Sequence, residues 1–176
     1  MHREEKAQSD AEILQYRAEE LARAIDSFEE KNQNSPEYVY FYLGEHCFAI
    51  EGKWIEFICP YSHVYPFPML PQMLFGVHYR QGQLYPVFDT AKLLGLDLSK
   101  EDYQSMIFID HAELGGVSLA VSSIRGYIAL GSNEIQTEDY QIPIEQDRYC
   151  CGVMKENGVP ILDGNKLLRS NKVGPH

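Results

Sequence analysis

No stretch of the 176-residue chain approaches the roughly 20 apolar residues that a membrane-spanning helix needs. The N-terminus, MHREEKAQSD, lacks the apolar core of a secretory leader. Both absences lead us to expect a cytoplasmic protein with no direct membrane insertion. Basic residues are few: 15 Lys and Arg against 26 Asp and Glu, for a net charge of −11 at pH 7. Such a chain repels phosphate backbones and anionic lipid, so nucleic acid is not expected among its partners. Gly-rich phosphate loops, GxSxG elbows and HExxH helices are all missing.

Cysteine is sparse as well. In a reducing compartment Cys47, Cys59, Cys150 and Cys151 are expected as free thiols, most of them small hydrophobes among apolar strand residues. Adjacent strand residues face opposite ways, so Cys150 and Cys151 do not suit one metal ion, and His46 does not suit Cys47 as a base. His63, His78 and His111 stand singly, without zinc-site spacing, and read as surface or interface residues. No catalytic, metal or cofactor site emerges, and an enzyme is not expected.

What is present is β-structure. The hydrophobic fraction of 44% belongs to a globular chain, one domain or two small units sharing a core. From residue 37 short strands arrive every eight to twelve residues with turn signals between them, the spacing of small barrels or a sandwich. EYVYFYLG and HCFAIEG are joined by Gly44-Glu45, read as a hairpin turn. KWIEFICPY, the proline-broken YPFPMLP, and a second hairpin, GVHYRQGQLYPVFD, come next. After them are SMIFIDHA, GVSLAVSSI, RGYIAL, YCCGVMKENG and VPILDG, with NKLLRS as a short closing helix. SNEIQTEDYQIPIEQD reads as the longest irregular loop. Asp89 and Asp163 each end a strand (PVFD, PILD) just before a leucine pair, where a carboxylate caps the next helix.

Residues 8–31 carry a different pattern. Ala11, Leu14, Ala18, Leu21, Ile25 and Phe28 form one helical stripe on an otherwise charged segment, capped by Ser9 or Asp10. The stripe packs on its own domain or docks a partner or second copy. The expected organisation is a helical extension and linker over 1–36, a main domain over 37–170 and a tail over 171–176.

The twin strand–Asp–Leu-Leu units, together with the hairpin, resemble the CheW family of chemosensory adaptors. YVYFYLGEHCFAIEGKWIEFI is similar to the family's opening strands, and VYPFPMLPQMLFGVHYRQGQLYPVFDTAKLLGLD to its proline–hairpin–Pro-Val-x-Asp core. SMIFIDHAELGGVSLAVSSIRGYIAL and YCCGVMKENGVPILDGNKLL resemble its later strands. The resemblance, which covers roughly residues 37–169, implies two intertwined five-stranded β-barrels like SH3 domains; the N-terminal helix read from the stripe precedes that region. It also implies a non-catalytic adaptor without cofactors, coupling the cytoplasmic tip of a methyl-accepting chemoreceptor to the regulatory domain of a CheA-type histidine kinase. Carried over by position, Ile55, Phe57 and Ile58 fall on the kinase side. Gly76, Arg80, Gln81, Gly82 and Ile124 fall on the receptor side. Self-association through the helix or barrel edges is a further expectation. The alternative is a regulatory or small-ligand-binding barrel not coupled to receptors.

The hairpin departs from the family. Where relatives usually read Gly-Val-Ile-Asn-Leu-Arg-Gly, this chain has Gly-Val-His-Tyr-Arg-Gln-Gly. The family's arginine becomes Gln81, and Arg80 appears one place early. In a strand, one place exchanges the two faces. Either the face bearing His78 and Arg80 is wet and lines a contact, or a bulge re-aims Arg80. Ser122 and Phe57 stand where the family commonly has acids.

Overall fold

The computed structural model describes residues 15, 18, 19, 35–142 and 147–170. It divides into two units, Met1–Ser35 and Pro36–His176. In the first, Gln15, Ala18 and Glu19 are helical; the remainder of the expected stripe lies outside the described residues, as does the tail.

The second unit is mainly β, with two sheets and few helices. One sheet contains β1 (Glu37–Leu43), β2 (His46–Glu51), β9 (Ser123–Ala129), β10 (Ile135–Gln136), β11 (Cys150–Met154) and β12 (Pro160–Leu162). Its order is β10-β11-β12-β2-β1-β9, with β12 parallel to β2. The other contains β3 (Ile55–Pro60), β4 (Val64–Tyr65), β5 (Leu74–Arg80), β6 (Gln83–Asp89), β7 (Ser105–Ile109) and β8 (Val117–Val121). Its order is β3-β7-β8-β6-β5-β4, with β6 parallel to β8. The first sheet thus opens and closes the unit in sequence while the second is inserted within it, which intertwines the two.

Alternation along β1 builds two cores at once. Val39, Phe41 and Leu43 turn one way, into the large core that also takes Phe88, Phe108 and Leu119 from the other sheet. Tyr38 and Tyr40 turn the other way, onto a smaller core around Met154 and Ile161. Phe41 stacks on Phe48 across the β1–β2 pair, with centroids 5.9 Å apart.

The expected closed, five-stranded barrels are not what the pairing gives. Each sheet has six strands, and its end strands are not hydrogen-bonded to each other. Local sequence explains the open ends. Pro60 finishes β3, and Pro66 and Pro68 come directly after the two-residue β4, so this seam lacks donors and length. The stretch 132–142, read as loop, also contains β10, whose Ile135 pairs with Met154.

The second sheet is nevertheless strongly curled. In a flat sheet β3 and β5, four places apart, would be separated by roughly 19 Å. Yet the Arg80 guanidinium on β5 lies 3.6 Å from the ring centroid of Phe57 on β3. Only a sheet wrapped around its own concave face brings them together.

Both predicted caps are formed. Lys92 N–H donates to Asp89 Oδ1 at 3.0 Å at the start of α1 (Thr90–Leu93). The N–H groups of Asn165 and Lys166 donate to Asp163 Oδ1 at 2.9 and 3.3 Å, at the start of α2 (Gly164–Ser170). The cysteines are free, with Cys150 buried and Cys151 exposed, as opposite strand faces require. No described helix is long and apolar enough to cross a membrane.

Candidate functional site: a groove between sheet edges and a stacked hairpin

The free edge of β3 faces the β1–β9 side of the other sheet across a groove of about 560 Å³. Ile55, Phe57 and Ile58 line it, together with Val39, Glu56 and Tyr127. The three are half-buried because β3 has a neighbour, β7, on one side only. A bulge between Ile55 and Phe57 shifts the register against β7. Such a bulge turns side chains and blunts an edge against unselective pairing.

Phe57 is the hub of an aromatic stack. It lies 4.0 Å from Phe108, with rings 16° from parallel, and meets Tyr85 edge-on at 6.1 Å. Arg80 covers its outer face, a cation–π contact worth about 0.5–2 kcal/mol. Thus Phe57 and Arg80, two departures from the family's usual pattern, meet in a single contact. No bulge lies at Arg80; the one between β5 and β6 falls at Leu74/Gly76. At His78 that face is not wet, whereas at Arg80 it is exposed. His78 is 8% exposed, its Nδ1 is 3.2 Å from the Ser62 carbonyl oxygen, and its ring packs against Phe108. The expectation of a surface histidine is corrected here. Gly76, His78 and Arg80 occupy alternate positions of β5; the curl buries the first two, while Arg80 stays exposed with its guanidinium over Phe57.

Under the stack, Tyr85 Oη donates to Glu56 Oε2 at 3.0 Å, with Gln83 Oε1 also 2.8 Å away. Burial foremost, then the Glu56 hydrogen bond and charge, pushes the Tyr85 hydroxyl up to about 12. Burial likewise pushes Tyr38 and the Cys150 thiol up to about 12. The unfolded chain releases these protons near 9 for thiol and 10 for phenol, before the folded chain does, so rising pH favours unfolding. Their contribution to stability is complete below about pH 9 and disappears toward pH 12. Urea midpoints should hold level from pH 7 to 9 and fall steadily above it. A midpoint unchanged at pH 11 would contradict this.

Gly76, Gln81, Gly82 and Ile124 are not gathered at one point. Gly76 lies beneath β4: a Cβ there would sit 2.2 Å from the Tyr65 carbonyl oxygen. Its glycine is required by this close approach, not by a turn. Gln81 (φ +49°) and Gly82 (φ +84°) form the two-residue tip of the β5–β6 hairpin. Two positive φ values match the primed turns that hairpins favour, but they strain a glutamine. Gln81→Gly should therefore stabilise the protein by about 1 kcal/mol, readable as a higher urea midpoint. Ile124 belongs to the other sheet, on β9 opposite Phe41.

Sequence reasoning overlooked the outer face of the hairpin. Tyr79 and Leu84 form a cross-strand pair, and Tyr65 pairs with Val77 beside them. Tyr65, Tyr79 and Leu84 are all more than half exposed, as are Phe67 and Met69 just beyond β4. The signal was available in YPFPML and in the tyrosine–leucine register across Gln81-Gly82. Among the described residues no group of His, Cys, Asp and Glu is arranged to hold a metal ion.

A family model described as "CheW-like domain" matches residues 37–172. Among solved structures, the chain is similar to the scaffolding protein TtCheW from Thermoanaerobacter tengcongensis. That similarity has a TM-score of 0.63 at 18% identity, covering 73% of this chain and 87% of the other. No curated protein sequence matches the chain.

Proposed function

Since the chain belongs to the CheW-like domain family, we propose that it is a non-catalytic chemosensory scaffold working in the cytoplasm. It couples the tip of a methyl-accepting chemoreceptor to the regulatory domain of a CheA-type kinase. The two curled sheets are then this chain's form of the family's twin barrel. The observation that carries the reading is the exposed apolar face of β4, β5 and β6. Tyr65, Tyr79 and Leu84 on this face, with the exposed Phe67 and Met69 just beyond β4, are suited to burial against another protein.

In this reading Ile55, Phe57 and Ile58 contact the kinase domain along the free β3 edge. Gly76, Arg80, Gln81, Gly82 and Ile124 belong to the receptor side. Gly76 acts by seating β4, and Gln81 and Gly82 by shaping the hairpin tip. The two sides adjoin at the Arg80–Phe57 stack, so a partner on one side can influence the other through a single contact. An arginine held over Phe57 suits more apolar partners than the usual ones, because cation–π contact keeps it in place without a carboxylate.

A pull-down and titration with a CheA regulatory domain and a receptor cytoplasmic fragment tests the proposal. Binding of both, with Leu84→Glu or Phe57→Ala weakening one of them at least tenfold, is the expected result. Failure to bind either at tens of micromolar and low salt would overturn it.

A further inference from the structure

On this acidic protein, three of the 15 Lys and Arg side chains meet at one apolar groove. The groove, about 490 Å³, has Met73, Leu74 and Phe88 in its wall and Arg148, Lys166 and Arg169 at its margin. Local sequence sets the cations there. Lys166 and Arg169 are three apart on α2 and so share a face, while Leu167 and Leu168 are buried. Arg148 comes from the turn before β11.

Neutral groups hold all three cations in place. Lys166 Nζ donates to the Cys150 carbonyl oxygen at 2.7 Å, and Arg169 Nε to Asn165 Oδ1 at 2.6 Å. Arg148 Nη2 donates to Tyr149 Oη at 3.2 Å, with its guanidinium over the Tyr149 ring. Among the described residues the ion pair found within 4 Å is Lys53–Glu51, elsewhere on the surface. Asp163, the acid at the start of α2, is occupied with capping. Among the described residues, positive charge is thus fixed beside an apolar wall with no carboxylate within 4 Å of it, although the chain as a whole is strongly negative.

From this we infer that the groove is a docking site for an acidic peptide segment of a protein partner, with an apolar side chain anchored between flanking Asp or Glu residues. The apolar wall takes the anchor and the three cations take the carboxylates. Net charge of −11 would repel such a segment from most of the surface, so the groove also determines where it lands. The site differs in residues from the proposed kinase and receptor surfaces and stands independently of them.

The test is fluorescence anisotropy on the full chain with three labelled twelve-residue probes, each with a central Leu-Phe pair. The flanks are Glu, Gln or Lys. We expect micromolar binding of the Glu probe, at least tenfold weaker binding of the other two, and marked weakening on raising salt from 50 to 300 mM. The triple variant Arg148→Gln, Lys166→Gln, Arg169→Gln should lose about tenfold in affinity for the Glu probe. A matching thermal melt and elution volume would show that the variant is folded. Kinase and receptor binding should be unchanged. No binding of the Glu probe, equal binding of the Glu and Gln probes, or an unaffected triple variant would each overturn the inference. So would binding seen only after residues 1–34 are deleted, which would make the chain's own acidic segment the occupant.

Discussion

Gly76→Ala is expected to destabilise the protein by about 3 kcal/mol, lowering its melting temperature by roughly 6–12 °C. The added Cβ would sit 2.2 Å from the carbonyl oxygen of Tyr65 and 2.7 Å from its carbonyl carbon. Neither atom can rotate away, because both are backbone, so either β4 lifts from β5 or β5 distorts. β4 is held by only two paired positions, Val64 with His78 and Tyr65 with Val77. It is the element that yields. Its loss would also disperse Tyr65 and Phe67, so partner binding through the hairpin face should fall with stability. Truncating the Tyr65 side chain should not rescue the variant, since the obstructing atoms remain. Thermal unfolding of Gly76→Ala, Tyr65→Ala and the double variant measures this. A Gly76→Ala protein within 1 kcal/mol of the parent would show that β4 does not seat where the structure has it.

A loss of similar size is expected at Asp89, for a different reason. This carboxylate is buried and does two things. Its Oδ1 accepts from Lys92 N–H, starting α1, and also accepts from the hydroxyl of Tyr103. Tyr103 is packed edge-on against Phe75 at 5.0 Å and tilted against Tyr61 at 6.4 Å, so its hydroxyl has no easy route to water. Burial and the carboxylate together hold that phenol far above its ordinary range. Asp89→Ala removes a helix cap, about 0.5–2 kcal/mol, and leaves a buried donor unpaired, about 1–3 kcal/mol. The sum, about 3 kcal/mol, should appear in urea unfolding. Asp89→Asn keeps an acceptor oxygen and should lose about 1 kcal/mol. Equal losses for the two substitutions would mean that packing, not hydrogen bonding, sets the value of the site. Because Asp89 ends β6, loosening it also loosens the root of the hairpin.

The N-cap of α1 was legible because capping needs only a carboxylate at the right place before a helix. The phenol that shares the carboxylate lies 14 residues away and was not. The same division runs through the candidate site. The hairpin, its tip at Gln81-Gly82 and its departures from the family pattern can be read along the chain. That Arg80 would rest on Phe57 cannot, since the two are 23 residues apart on strands that do not pair.

Alone, the sequence determined much of the local structure: most of the strands and their order, though not β10 or the break between β8 and β9, which aspartates cap helices, and that Cys150 and Cys151 face opposite ways. It also carried the family resemblance. These depend on neighbours within a few residues, through alternation, turn conformation and short-range hydrogen bonds. Tertiary structure alone decided the rest. The parallel pairing of β12 with β2 and of β6 with β8 divided the strands between two sheets, and the curl turned His78 inward and laid Arg80 over Phe57. The same packing made Gly76 indispensable and set Arg148 beside α2. Each of these brings together chain segments far apart in sequence, and their meeting depends on how two sheets share one core.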